Sequence, residues 1–180
     1  MNELSSNSRV VVVGTSGAGK TTFARKLSSN FRLTDIELDA LFWERNWTKA
    51  ESDIFRERIK VKLSQNPGWV IHGNYGKTRH LYWKEATHLV WLDYSFMLIF
   101  WRVLRRSISR IAKNEPLWND NKESFFKTFF SKKSIIFWMF QTYSLRKRQY
   151  EELVRSPASS HLEILRFSNP KELERAIPIK

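Results

Sequence analysis

Residues 14–22 read Gly14-Thr15-Ser16-Gly17-Ala18-Gly19-Lys20-Thr21-Thr22, GTSGAGKTT, directly behind the β-branched run Val10-Val11-Val12-Val13. Glycine, four residues, glycine, lysine and a hydroxyl residue is the pattern of a phosphate-binding loop, provided that a strand precedes it and a helix follows. Both conditions hold, since Phe23-Ala24-Arg25-Lys26-Leu27 behind it suits a helix. A glycine-rich strand-to-helix turn can also be only a turn, but here every fixed position and both flanks are filled.

Each residue type has a physical reason to be there. Gly14, Gly17 and Gly19 allow positive φ and close approach of backbone N–H groups to phosphate oxygens, at the positive end of the following helix. Lys20 supplies a mobile charge for β- and γ-phosphates, and the Thr21 hydroxyl is placed for Mg²⁺. Residues 14–22, from Gly14, Thr15, Ser16, Gly17, Ala18 and Gly19 through Lys20 and Thr21 to Thr22, are therefore the expected ATP-binding set.

A chain of 180 residues with 42% hydrophobic and 14% aromatic residues has material for one well-filled core, so residues 1–180 read as a single domain. Lysine and arginine number 31 against 18 acidic residues, and the resulting charge of +13 implies polyanionic company: nucleotide phosphates, nucleic acid or an anionic surface. The absence of cysteine excludes disulfides, thiolate metal sites and a cysteine nucleophile. Residues 1–9 lack the pattern of a signal peptide and suggest a short floppy lead-in. The most apolar runs, 96–101 and 135–140, fall far below the ~20 residues that span a bilayer. The expectation is a soluble cytoplasmic protein with no membrane partner.

Along the chain, a first helix is expected over about 19–29, and residues 33–38 alternate apolar and polar side chains as a half-buried or edge strand would. That strand delivers Asp39 to its carboxyl end, where open α/β sheets bind ligands; a helix N-cap or turn aspartate is the plain alternative. An aromatic loop over 40–47 leads to a helix over about 49–65, ended by Asn66-Pro67-Gly68. Residues 69–73 and 87–94 read as buried parallel strands, the second reaching Asp93. Over 95–113 the period becomes helical, with Met97, Phe100, Leu104, Ile108 and Ile111 on the expected core face.

Arg102, Arg105, Arg106 and Arg110 lie away from that face. Such residues usually form a solvated surface. Residues 102–113, however, hold five basic residues and no acidic one, so no i,i+4 carboxylate relieves the repulsion, and a bound polyanion would. The turn-rich stretch within 112–124 is a candidate lid loop. Residues 124–156 form one aromatic and basic helix, or two broken near 131–133, whose rings suit a core better than a base-stacking platform. Arg146-Lys147-Arg148 reads as exposed charge. A last strand over 162–167 and a short helix over 171–176 opened by Pro170 complete the chain.

Five strands alternating with helices behind such a loop give a three-layer α/β/α domain with a five-stranded parallel sheet and right-handed crossovers, a P-loop NTPase architecture. At this size it looks like the nucleoside-monophosphate kinase group. More narrowly, the chain resembles the adenylate-kinase-like bacterial proteins labelled DNA topology modulation proteins, or FlaR-related. That resemblance rests on GTSGAGKTT at 14–22, IELDALFW at 36–43 with Trp47, WVIHGNY at 69–75, VWLDY at 90–94, RVLRRSISR at 102–110 and EPLWNDNKES at 115–124.

The resemblance implies ATP and Mg²⁺ on the loop and an acceptor near Asp39, Trp43 and the Gly73-Asn74-Tyr75 corner. It implies Arg102, Arg106 and Arg110 as lid-side groups that neutralise the transferring phosphoryl group, and residues 168–170 bordering the base. Lys20, Asp39, Arg102, Arg106 and Arg110 are thus the expected catalytic residues. One departure stands out: related sequences commonly carry Asp where this chain has His72, and a neutral imidazole is a poor Mg²⁺ partner. Either the metal is then expected on Thr21 with Asp39 or Asp93, or metal binding and turnover are weakened.

The leading expectation is a kinase-like protein that transfers the γ-phosphate of ATP to a nucleotide or small-molecule acceptor. The alternatives are a nucleic-acid-associated ATPase or regulator, whose affinity would fall steeply with salt, and an ATP-binding protein without turnover.

Overall fold

The valine run forms strand β1, Arg9–Gly14. In the computed structural model, which describes residues 4–113, 118–121 and 135–177, β1 takes the middle place of a five-stranded sheet. The other strands are β2 (Thr34–Glu37), β3 (Trp69–His72), β4 (His88–Leu92) and β5 (Glu163–Phe167), ordered β2-β3-β1-β4-β5. Every pairing is parallel. Buried on both faces, β1, β3 and β4 are near-continuous apolar runs, as a central parallel strand requires.

Helices cover both faces, and alternation along β1 divides the core between them. Val10 and Val12 pack with Phe23, Ala24 and Leu27 of α1 (Lys20–Phe31), Ile99 and Val103 of α4 (Phe96–Ala112), and Ile177 just beyond the terminal helix α6 (Pro170–Ala176). Val11 and Val13 pack with Phe55 and Ile59 of α3 (Ser52–Leu63) and Tyr150 of α5 (Ile135–Arg155). The four valines are 0, 4, 1 and 4% exposed, and burial of each contributes about 1.5 kcal/mol or more. The architecture is the expected three-layer α/β/α P-loop fold.

Four local expectations need correction. Residues 4–8 are not a loose lead-in: Ser5 and Ser8 close a turn, with Ser8 N–H donating to Ser5 O at 3.0 Å and Ser5 N–H to Ser8 Oγ at 2.9 Å, while Leu4 packs on the core. Strand β2 stops at Glu37, and Asp39 sits in the first turn of a short helix α2 (Leu38–Phe42). In α4 the buried stripe is Ile99, Val103 and Ser107, whereas Met97 and Ile108 of the expected core face are 58 and 52% exposed. Arg146, finally, is half-buried rather than displayed to solvent.

No helix among the described residues is long and apolar enough to cross a membrane. Of the candidate lid within 112–124, residues 114–117 and 122–124 lie outside the described set, as do 125–134 of the aromatic segment.

Candidate functional site

Helix α1 begins in an unusual electrical state. Its N-cap is Gly19, with φ 95°, which makes no side-chain cap, and its first turn holds no acidic residue. The first N–H groups of a helix need partners, and a loop arranged this way leaves them for an anion from outside. Gly17, with φ +86°, seats the loop against α4: a Cβ there would lie 2.4 Å from Val103 Cγ2. Within the loop, Ala18 N–H donates to Thr15 O at 3.2 Å. Thr15 is 8% exposed and its Oγ1 is buried with no hydrogen-bond partner among the described residues. Ser16 and Thr21 are half-buried and Thr22 is exposed.

Lys20 curls back over the loop, donating from Nζ to the carbonyls of Gly14 at 2.9 Å and Thr15 at 3.0 Å. The residue keeps some surface in contact with solvent, while its ammonium is enclosed. Burial pushes that ammonium down to about 8; Asp39 opposes the shift, and the guanidinium groups of Arg106 and Arg146 add to it. The lysine thus sits among further positive charge, with Asp39 the carboxylate that supports it.

The arginines of α4 flank its buried stripe. Arg102, Arg106 and Arg110 are half-buried, whereas Arg105 is exposed. Arg102 donates from Nη1 to Ala18 O at 3.3 Å and lies 5.3 Å over the Tyr94 ring. Because α4 packs directly on the sheet, Arg102 reaches the loop from the domain's body, not from a lid. From the other side, Arg79 and Arg146 line a cleft with Asn74, Tyr75 and Tyr150. Arg79, Arg102 and Arg146 have no carboxylate partner among the described residues.

Asp39 accepts a hydrogen bond from Tyr75 Oη at 2.7 Å, and burial followed by the Asp39 charge holds the Tyr75 phenol above its ordinary value. Phe42, Phe55, Trp43 and Tyr75 build an aromatic wall beside it, extended by Trp47 and Trp118. Asn121, 4% exposed, pins this wall: its Oδ1 accepts from Trp47 N–H at 2.7 Å and its Nδ2 donates to Glu44 O at 2.8 Å. Residues 118–121 of the candidate lid are thereby docked on the 43–47 loop.

The carboxylates divide by the face of the sheet they occupy. Asp93 is tied by Lys147 at 3.3 Å and by both Arg166 nitrogens, and its side chain is 7% exposed. Those two cations hold it in an ion-pair network toward α5 and β5, away from Thr21. Glu37, which the sequence reading passed over, accepts from Thr21 Oγ1 at 3.4 Å and pairs with Arg25 at 3.1 Å. His72 is 2% exposed with Nε2 3.1 Å from Asp35 Oδ1. Tyr150 Oη bonds Asn74 Oδ1 at 2.7 Å and Gly14 O at 3.4 Å, joining α5 to the loop's first residue.

Glu37 had a signal in the sequence, an acidic residue on the alternating strand that ends level with the loop, but the pattern assigned that face to solvent. Arg146 and Tyr150 had none, because only the fold brings them to the loop.

Among known proteins, no family profile matches the chain, and no curated protein matches it in sequence. Among solved structures, a candidate kinase from Chloroflexus aurantiacus J-10-fl superimposes with a TM-score of 0.48 at 16% identity, over 92% of this chain and 90% of its own. At that score and identity the likeness transfers neither an activity nor a site residue.

Proposed function

We propose that this chain is an ATP-dependent phosphotransferase of the nucleoside-monophosphate-kinase type, akin to the DNA topology modulation proteins, which moves the γ-phosphate of ATP to a nucleotide or small-molecule acceptor. The observation that carries the reading is the Gly19-capped start of α1, with Lys20 folded onto the Gly14 and Thr15 carbonyls. The residues fit a nucleoside triphosphate: helix N–H groups and a Thr15 hydroxyl without partners among the described residues, and cations crowded around an enclosed lysine, are all relieved by a polyphosphate.

In this reading residues 14–22 wrap the β-phosphate, and Lys20 swings from its carbonyls to the β- and γ-oxygens. Arg102, Arg106 and Arg110, with Arg146 opposite, offset charge on the moving phosphoryl group. Thr21 would hold Mg²⁺, which would supply neutralisation of the charge that develops on the phosphate. Asp39, oriented by Tyr75, meets the acceptor beside the aromatic wall and takes a hydrogen bond from its attacking oxygen. Asp93 has no role here, because its carboxylate is spent on Lys147 and Arg166.

The competing expectation of a nucleic-acid-associated ATPase draws on the charge of +13. Arg106 and Arg146 both act on Lys20 and Arg102 donates to Ala18 O of the same loop, a grouping of charge at one loop that favours a compact anion. Calorimetric titration of ATP–Mg²⁺ into wild type and Lys20→Ala, followed by product analysis over mononucleotides and small alcohols, tests the proposal. Lysine-dependent binding with a phosphorylated product is expected. Equal binding by the two proteins, or no product from any acceptor, overturns it.

A further inference from the structure

We propose that Glu37 is the carboxylate that orients Thr21 and the waters of a bound Mg²⁺, in the place that His72 leaves without one. The inference rests on the nucleotide reading above and assigns a positioning residue to the same site.

The argument begins with register. Glu37 and His72 are direct partners across the parallel β2–β3 pair, and paired residues of neighbouring strands present their side chains on the same face of a sheet. The alternation of the core fixes which face. Ile36 and Ile71 belong to the core under α3 and α5, and Val70 to the core under α1. Asp35, Glu37 and His72 therefore face α1, the helix that carries Thr21.

Of these three, Asp35 is engaged by His72, 3.1 Å from Nε2 to Oδ1, so imidazole and carboxylate satisfy one another inside the sheet. Glu37 is the one whose carboxylate reaches Thr21, accepting the hydroxyl at 3.4 Å. Its side chain is 13% exposed, dry enough for that bond to matter and open enough for water.

The chemistry follows from the hydroxyl. A threonine Oγ that donates its proton to a carboxylate turns its lone pairs away from that carboxylate, and a lone pair is what Mg²⁺ needs. This ion takes oxygen ligands at about 2.1 Å in an octahedron and keeps several waters, so neighbouring ligand oxygens stand about 3 Å apart. An acceptor beside Thr21 is correctly sited to hold one of those waters. Such outer groups are worth roughly 10–100-fold in metal affinity. Arg25, 65% exposed and 3.1 Å from the other Glu37 oxygen, pairs with the carboxylate from the solvent side and leaves open the oxygen that faces Thr21.

The test separates nucleotide binding from metal binding. ATP is titrated into wild type, Glu37→Gln, Arg25→Ala and Glu37→Gln/His72→Asp, once in EDTA and once in Mg²⁺, and Mn²⁺ bound in the ATP complex is followed by its electron paramagnetic resonance. Glu37→Gln keeps wild-type ATP affinity in EDTA, loses about tenfold or more of the gain that Mg²⁺ gives, and binds Mn²⁺ correspondingly more weakly. Arg25→Ala retains the gain, and the double variant recovers much of it, its new carboxylate being one strand nearer the loop. A Glu37→Gln protein with the full Mg²⁺ gain overturns the proposal, as does an Arg25→Ala protein that loses as much as Glu37→Gln. If wild type binds no ATP in either buffer, the nucleotide reading itself falls and this inference with it.

Discussion

Raising the pH from 7 to 9 should weaken the binding of ATP–Mg²⁺ by about tenfold, and the cause is one proton on Lys20. Burial and the neighbouring Arg106 and Arg146 bring that ammonium from 10.5 down to about 8, with Asp39 opposing them. A phosphate supplies the partner that burial withholds, so in the complex the ammonium returns toward its ordinary range. The free protein is about nine-tenths protonated at pH 7 and one-tenth at pH 9, so association draws a proton from solvent: roughly half a proton at pH 8, nearly a whole one at pH 9. The lost affinity corresponds to about 1.4 kcal/mol. The same shift acts on stability with the opposite sense. Between about 8 and 10.5 the unfolded chain binds the extra proton, so this lysine's contribution makes the fold relatively more stable as pH rises. Calorimetry in two buffers of different ionisation enthalpy counts the protons directly. Lys20→Arg, charged throughout, should bind with no proton uptake and a flat profile. Wild-type binding that is flat from pH 7 to 9 with no uptake would refute the reasoning.

Other expectations follow from the same contacts. Gly17→Ala forces a Cβ into Val103 at 2.4 Å with φ held at +86°; thermal melts should show a loss of about 2–4 kcal/mol, and adding Val103→Ala should recover the steric part but not the backbone part. Asp93→Ala leaves Lys147 and Arg166 facing each other; with both cations 39 and 47% exposed the cost is about 1–2 kcal/mol in denaturant unfolding, and ATP affinity of the folded protein should not change. Tyr75→Phe removes the donor to Asp39 and should lower kcat several-fold with ATP binding intact, as single-turnover kinetics can show. Asn121→Ala releases the 118–121 segment from Glu44 and Trp47 and should raise the acceptor KM more than it lowers kcat.

The parts of the molecule that could be read in advance are those where a local rule and the fold agree. Val10 to Val13, the glycines of the loop and Lys20 are set together by strand geometry and by the strand-to-helix turn that the glycines permit, and the three-layer sheet follows from that unit repeated. Helix α4 misled because it carries two apolar tracks. The stripe through Met97 and Ile108 is richer in large side chains, yet the packed one is Ile99, Val103 and Ser107, where small or branched residues let the loop tip approach. Ser107, 0% exposed, is invisible to any count of apolar residues. Glu37 was obscured by the opposite effect. A charged residue on an alternating strand is ordinarily the solvated side, and only the parallel register with His72 brings it to Thr21. Asp93 looked functional from its strand-end position, and nothing local announced the two cations waiting in α5 and β5.

The seating of Gly17 on Val103 and Ile99 leaves no slack between the loop tip and α4, and that bears on the timing of events. Two bodies packed through bare backbone interlock, so a shift of the loop tip is coupled mechanically to α4. On the proposed reading, Arg102, borne on that helix and anchored to Ala18, would stand beside the loop before any ligand arrives. Charge carried by a hinged flap must wait for closure and lose conformational freedom as it arrives. If the chain binds a polyphosphate as proposed, the attraction here is already assembled, and the electric field that draws the ligand in would be the same field that later holds it.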